Sequence, residues 1–163
     1  MPSIQKDIVV DVPIRIAYDQ WTQFESFAQF MEGVKEVVQL DEKTMRWRAS
    51  VGGKEEEWDA EITEQTPDRI IAWHSTTGAP NAGVVRFEQA DPMKTRVSLE
   101  ISYEPQQTAE KVGDALGVLE RRVDADLGRF KDFIEKRQTP TGGWRGEIHG
   151  GQVESGGGGA RAT

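Results

Sequence analysis

Between residues 34 and 104 the chain offers strand-like runs at roughly 34–40, 44–51, 54–65, 69–76, 82–89 and 94–104, joined by very short breaks. The breaks are Asp41-Glu42-Lys43, Gly52-Gly53, Pro67-Asp68, Gly78-Ala79-Pro80-Asn81 and Asp91-Pro92, all of them turn chemistry. A parallel pair of strands needs a crossover of about a dozen residues or more, which none of these breaks can hold. The runs are therefore predicted to form an antiparallel meander, with residues 3–11 as a seventh strand.

The Gly52-Gly53 break also fixes a register. With a two-residue loop, Val51 pairs with Lys54, and every later partner follows. Arg48 then faces Glu57, Arg46 faces Asp59, and Trp47 faces Trp58. Opposite charges meet on one face and indoles on the other, as stabilising cross-strand pairs do. The register turns Trp47, Trp58, Ala60 and Ile62 inward and the acidic alternation from Glu55 to Glu61 outward. A turn centred on Pro67-Asp68 next sets Ile62 against Trp73 on the inner face, leaving His74 outward, across from Glu61. Val85 and Phe87 share the inner face with Val97, Leu99, Ile101 and Tyr103.

From Thr108, a candidate N-cap, to Arg137 the period changes. Val112, Leu116, Leu119, Val123, Leu127, Phe130 and Ile134 fall within about 80° of one helical face. These thirty residues predict a helix about 45 Å long. Lys136 and Arg137 suit its C-terminal end, and Pro140 follows. Gly113 and Gly117 flank the stripe and are expected to admit a loop close to the helix. A lone amphipathic helix beside such a sheet must lie across the sheet's apolar face.

Near the N-terminus, Asp11-Val12-Pro13 opens a short helix. Residues 18–34, YDQWTQFESFAQFMEGV, then place Tyr18, Trp21, Phe24, Phe27 and Phe30 three apart, five of the chain's thirteen aromatics. On one continuous helix such steps would spread the rings over about 240° of the circumference, wider than a single buried stripe. The spacing predicts two short helices with a bend near Gln23–Ser26.

Composition excludes several classes. A formal charge of -8 disfavours nucleic-acid binding, and the absence of cysteine excludes disulfides and thiolate sites. No apolar run is long enough for integral membrane association, and no charged-then-apolar leader opens the chain, so a cytoplasmic location is expected. From Thr139 onward, nine of the seventeen glycines crowd into twenty-five residues. The expected division is a domain at 1–138 and a flexible Gly-rich tail at 139–163. Within that tail Trp144 and Arg145 read either as docking back onto the domain or as a motif for a protein partner.

The order strand, two short helices, six-strand meander, long C-terminal helix is that of the helix-grip fold. The segments VPIRIAYDQWTQFESFAQFMEGV, WDAEITEQTPDRIIAW and the pair NAGVVRFE and TRVSLEISYEP resemble bacterial SRPBCC proteins, the START/polyketide cyclase-dehydrase superfamily. The likeness spans residues 3 to about 137 and points to the cyclase/dehydrase-like and coenzyme-Q-binding-like branch. It implies an α+β fold: a seven-stranded antiparallel curved sheet, two short helices closing one end, and one long C-terminal helix. It also implies a cavity between sheet and helix for a lipid, quinone, polyketide or hormone, with catalysis in only some members.

On that basis the expected ligand-binding residues are Phe27, Phe30, Trp47, Trp58, Trp73, Ser75, Phe87, Tyr103 and Leu116. No catalytic residue, metal or cofactor is expected. His74 faces outward, His149 lies in the tail, and Ser75 has inward parity but no histidine or lysine placed to activate it. The leading reading is a protein that binds a hydrophobic small molecule without turning it over. The alternatives are a polyketide cyclase/dehydrase and an interaction protein acting through its WRG tail.

Overall fold

The computed structural model describes residues 3–51, 54–78, 80–103 and 109–154, and only the backbone of Val51, Lys54, Tyr103 and residues 109–116. Strands β1 (Ser3–Val10), β2 (Val34–Gln39), β3 (Thr44–Val51), β4 (Lys54–Thr66), β5 (Ile70–Ser75), β6 (Asn81–Asp91) and β7 (Lys94–Tyr103) form one sheet. Their order is β1-β7-β6-β5-β4-β3-β2, antiparallel throughout. This is the expected meander, with the first strand returned to its far edge.

The register argued from charges and indoles is the one observed. Val51 pairs with Lys54, Arg48 with Glu57, Trp47 with Trp58 and Arg46 with Asp59, although Gly52 and Gly53 themselves lie outside the described residues. Ile62 stands opposite Trp73, and Glu61 opposite an exposed His74. One departure follows immediately: the ladder shifts between Ile62 and Glu64. A bulge places one extra residue in the strand and reverses the alternation beyond it. Glu64 thereby turns to the outer face, and Gln65 goes inward, fully buried and opposite Ile71.

Helix α1 (Ile14–Trp21) starts directly after Pro13, whose φ of -59° suits a helix start. Gln23, with φ -96° and ψ 76°, breaks it, and a 3-10 helix covers Phe24–Gln29. The bend falls where the aromatic spacing predicts. It lets Tyr18, Trp21, Phe24, Phe27 and Phe30 all point inward, none more than 2% exposed.

Helix α2 (Ala109–Arg137) lies along the inner face and buries Val123, Leu127, Phe130 and Ile134. Thr108 and the side chains of Val112 and Leu116 lie outside the described residues. The helix is tied to β1: Lys131 Nζ donates to the Val9 carbonyl at 3.1 Å, and the Asp11 amide donates to Glu135 at 2.7 Å. Among the described residues no loop approaches Gly117; the nearest atom to a side chain there would belong to Arg121, on the same helix.

The largest correction concerns the expected free tail. Residues 139–154 run back along the domain as a strap. Strand β8 (Glu147–His149) pairs with β4 where β3 has ended, matching His149 to Glu64 and Ile148 to Gln65. Strand β9 (Gln152–Glu154) folds back on β8. The sheet thus has nine strands rather than seven. Glycine content misleads here because these glycines serve packing and turning. A β-carbon on Gly146 would stand 2.4 Å from the Trp144 indole, and Gly150 and Gly151, at φ 56° and 77°, make the turn that β8–β9 requires. Residues 155–163 lie outside the described residues.

The strap is held by apolar and ionic contacts together. Trp144 is 4% exposed and Ile148 fully buried, so both join the core. Arg145 bridges Asp19 at 2.6 Å and Asp68 at 2.8 Å, with its guanidinium 5.4 Å from the centre of the Tyr18 ring. Trp144 and Arg145 are engaged by the chain's own surfaces. The partner-motif reading finds no support.

Candidate functional site

Register places the inner wall. Trp47 and Trp58 stand directly across from one another on β3 and β4, and their rings lie nearly parallel, 5.9 Å apart at 7°. Trp73 on β5 joins them, 6.3 Å from Trp47 at 15°. The three indoles make a ladder across three strands. Two small residues make room for it. Ala60 occupies the inner face of β4 between Trp58 and Ile62, and Gly83 on β6 lies opposite Trp73. A β-carbon on Gly83 would stand only 2.3 Å from the Trp73 ring.

Phe27 links this wall to the helices. Its ring lies 5.7 Å from Trp47, 5.3 Å from Trp21 and 5.7 Å from Phe30. Phe30 turns away from the ladder into α2, 5.2 Å from Phe130 and 5.4 Å from Phe133. Phe87 belongs to the opposite end, where it meets Tyr18 edge-on at 5.3 Å. Ser75 is half-buried beside Ala60, and its Oγ accepts a hydrogen bond from the Asn81 amide at 3.0 Å. Of the expected site residues, Phe27, Trp47, Trp58 and Trp73 come together, Ser75 adjoins them, and Phe30 and Phe87 lie to either side. The side chains of Tyr103 and Leu116 lie outside the described residues.

The polar groups of this interior are few. Among the described residues the indole N–H groups of Trp47 and Trp58, like that of Trp21, are buried without a hydrogen-bond partner. So are the Tyr18 hydroxyl and both ends of the Gln65 side-chain amide, although these two groups adjoin one another. Burial holds the Tyr18 hydroxyl well above the ordinary phenol range, so it stays protonated. Tyr18 begins the aromatic spacing of residues 18–34, and nothing in that spacing marks its hydroxyl as a buried polar group. Gln65 was hidden by the bulge, since strict alternation from Ile62 directs it outward.

Among the described residues no acid–base pair is assembled on the inner wall. Among the described residues, no Asp, Glu, His, Lys or Arg is a buried residue. His74 is exposed, and His149 lies on the outer face with Glu64. What the wall offers chemically is flat aromatic surface with a small number of donors. Apolar ligand pockets have this character.

A long helix gripped by a curved antiparallel sheet defines a helix-grip protein. The family described as polyketide cyclase / dehydrase and lipid transport matches residues 10–132, and the chain belongs to it, within the SRPBCC superfamily. An uncharacterized 17.2 kDa protein in the melC2-rnhH intergenic region of Streptomyces lincolnensis is 48% identical over 149 residues, 91% of this chain and 99% of that protein. The crystal structure of the Zhui aromatase/cyclase from Streptomyces sp. R1128 shares the fold at TM-score 0.72 and 18% identity, over 87% of this chain and 98% of that one. A START superfamily protein from Mycobacterium smegmatis does so at TM-score 0.68 and 12% identity, over 80% and 98%. Family membership supports a hydrophobic ligand-binding or cyclase role. Among the described residues no helix is long and apolar enough to cross a membrane.

Proposed function

We propose that the protein binds a hydrophobic small molecule, a lipid, quinone or polyketide-like aromatic, against the indole ladder between sheet and α2, without catalysing its conversion. The carrying observation is the pair of buried N–H groups of Trp47 and Trp58, unpartnered among the described residues, within a stacked aromatic wall. A buried donor left unpaired costs about 1–3 kcal/mol, which an acceptor oxygen on a ligand would recover. Flat rings suit the wall by stacking. A flat molecule with carbonyl or hydroxyl oxygens at its edge therefore fits better than a plain hydrocarbon. The absence of charged groups from the described buried set favours binding over the cyclase reading.

The test compares a hydroxyanthraquinone with anthracene, followed by quenching of tryptophan fluorescence. The parent is expected to bind the hydroxyanthraquinone more tightly. Trp47→Phe and Trp58→Phe should each weaken that ligand at least tenfold, about 1.4 kcal/mol, while changing anthracene affinity little. Equal losses for both ligands would remove the donor role, and no saturable binding of either would remove the reading. Conversion of a bound polyketide-like substrate, seen by mass spectrometry, would favour the cyclase instead.

A further inference from the structure

Charge on the outer face of the sheet follows one rule almost everywhere. Arg46 meets Asp59 at 2.9 Å, Arg48 lies 3.6 Å from Glu57, Arg86 is 3.5 Å from Glu100, and Arg96 is 3.6 Å from Asp7. The β8–β9 hairpin breaks the rule. Glu147 stands directly opposite Glu154, a like-charged pair that destabilises a two-stranded ribbon. Among the described residues neither glutamate has a lysine or arginine partner; Lys43 Nζ, which is close by, donates to the Gly151 carbonyl instead.

What the two glutamates share is His149. Its Nε2 lies 2.9 Å from Glu147 Oε1 and 3.9 Å from Glu154 Oε2, and one ligand atom from each of the three residues lies within 4.8 Å of the others. The other ring nitrogen, Nδ1, lies 3.0 Å from Glu64 Oε2. Glu64 is itself fixed, because its second oxygen accepts the Gly150 amide at 3.0 Å and its backbone belongs to β4. A carboxylate on one imidazole nitrogen places the proton there, leaves the lone pair on the other, and orients the ring, as at metal-bound histidines. Here that other nitrogen, Nε2, is aimed at two otherwise unneutralised carboxylates, as an N–H that a cation would replace.

We infer that His149 Nε2, Glu147 and Glu154 form a site for a first-row divalent cation of the Zn²⁺ type, with Glu64 as the positioning residue that orients the imidazole. The donor set decides the class. One imidazole with two carboxylates suits Zn²⁺ and its neighbours, whereas Mg²⁺ and Ca²⁺ favour shells made of oxygen alone. Two glutamate charges match a divalent ion, and water would complete the coordination. The site lies on the outer face, away from the indole ladder. Its effect is to clamp the hairpin and, through Glu64, to tie it to β4. No local pattern announces it, since His149 falls in the glycine-rich stretch and its carboxylate partners include one more than eighty residues away.

The experiment is calorimetric titration of the untagged full chain with ZnCl₂ near neutral pH, repeated in buffers of different ionisation enthalpy. Saturation at one ion per chain is expected, with release of about one proton, because Nε2 cannot hold a proton and a metal together. Glu64→Gln should weaken binding by about 10–100-fold. His149→Ala and Glu154→Gln should each weaken it at least as much, and His74→Ala, on the neighbouring outer face, should leave it unchanged. Circular dichroism confirms that each variant folds, and Glu154→Gln, at the hairpin's outer end, keeps the test open should His149→Ala unfold. Absence of saturable Zn²⁺ binding by the parent overturns the inference, as does binding that survives both His149→Ala and Glu154→Gln or that Mg²⁺ displaces equally well.

Discussion

A β-carbon on Gly83 would stand 2.3 Å from the Trp73 ring, closer than any packed pair of carbons. Gly83→Ala must therefore displace the indole or bend β6. It should cost about 1–3 kcal/mol of stability, measured by urea denaturation, and lower hydroxyanthraquinone affinity through the displaced ladder. Gln65 poses the opposite case. Its amide is buried beside the Tyr18 hydroxyl and, among the described residues, meets no other hydrogen-bond partner, so its desolvation is poorly compensated. Gln65→Leu keeps much of the shape and removes both polar atoms, which is nearly neutral or stabilising when nothing pairs with them. An unchanged or higher denaturation midpoint is expected. A loss of about 2 kcal/mol or more would show that water or a ligand partners the amide in solution.

At the scale of elements, the strap carries the sharpest predictions. Glycine content alone predicts that a chain ending at Gln138 keeps its stability. Burial of Trp144 and Ile148 predicts otherwise. Trp144→Ala should cost about 3–5 kcal/mol, and the truncation at least that, read as a fall in urea midpoint. In EDTA, attachment of the hairpin should also depend on pH. Hydrogen bonds donated to the Glu147 and Glu64 carboxylates push the His149 imidazole up to about 9, so its contribution is complete below the unfolded value of 6.5 and fades as pH rises through about 9. His149 and the Gly150 amide hold the Glu64 carboxyl below its usual 4.5, so its contribution is present above that value and fades as pH falls below it. The melting-temperature difference between the parent and His149→Gln should be largest between those limits and shrink on both sides. These elements show what was legible. The meander, the indole pairing and the break in the first helix follow from neighbours a few residues apart, so local spacing contains them. The strap's partners lie up to 126 residues away, and nothing local marks Arg145 as the bridge between Asp19 and Asp68. The inner wall was legible because turns fix its register. The engagement of Phe87 by Tyr18 was not, because it depends on how α1 packs on the sheet.

Over the whole molecule, the interior has two ends of different character. Rings from α1, the 3-10 helix and α2 interlock around Trp21 and Phe130, while the indole ladder spans β3 to β5. A ligand seated on the ladder binds only the folded chain. At a hundred times its dissociation constant it should add about 2.7 kcal/mol and raise the melting temperature by about 5–10 °C. Scanning calorimetry with and without the hydroxyanthraquinone measures this, and no shift at saturating ligand would count against binding to the native state. The placement of β8 has a consequence for how copies of the chain behave together. β4 is longer than β3, so beyond Glu61 its far side would carry open backbone donors and acceptors. A bare strand edge is a template on which another chain can pair. The strap occupies that edge at Glu64 and Gln65, and the Gly151 amide caps the Thr63 carbonyl at 3.0 Å. The matched family residues stop at 132, so this guard is supplied by sequence beyond the shared domain. A chain ending at Gln138 should consequently scatter light increasingly with concentration at temperatures where it is still folded, while the full chain stays clear.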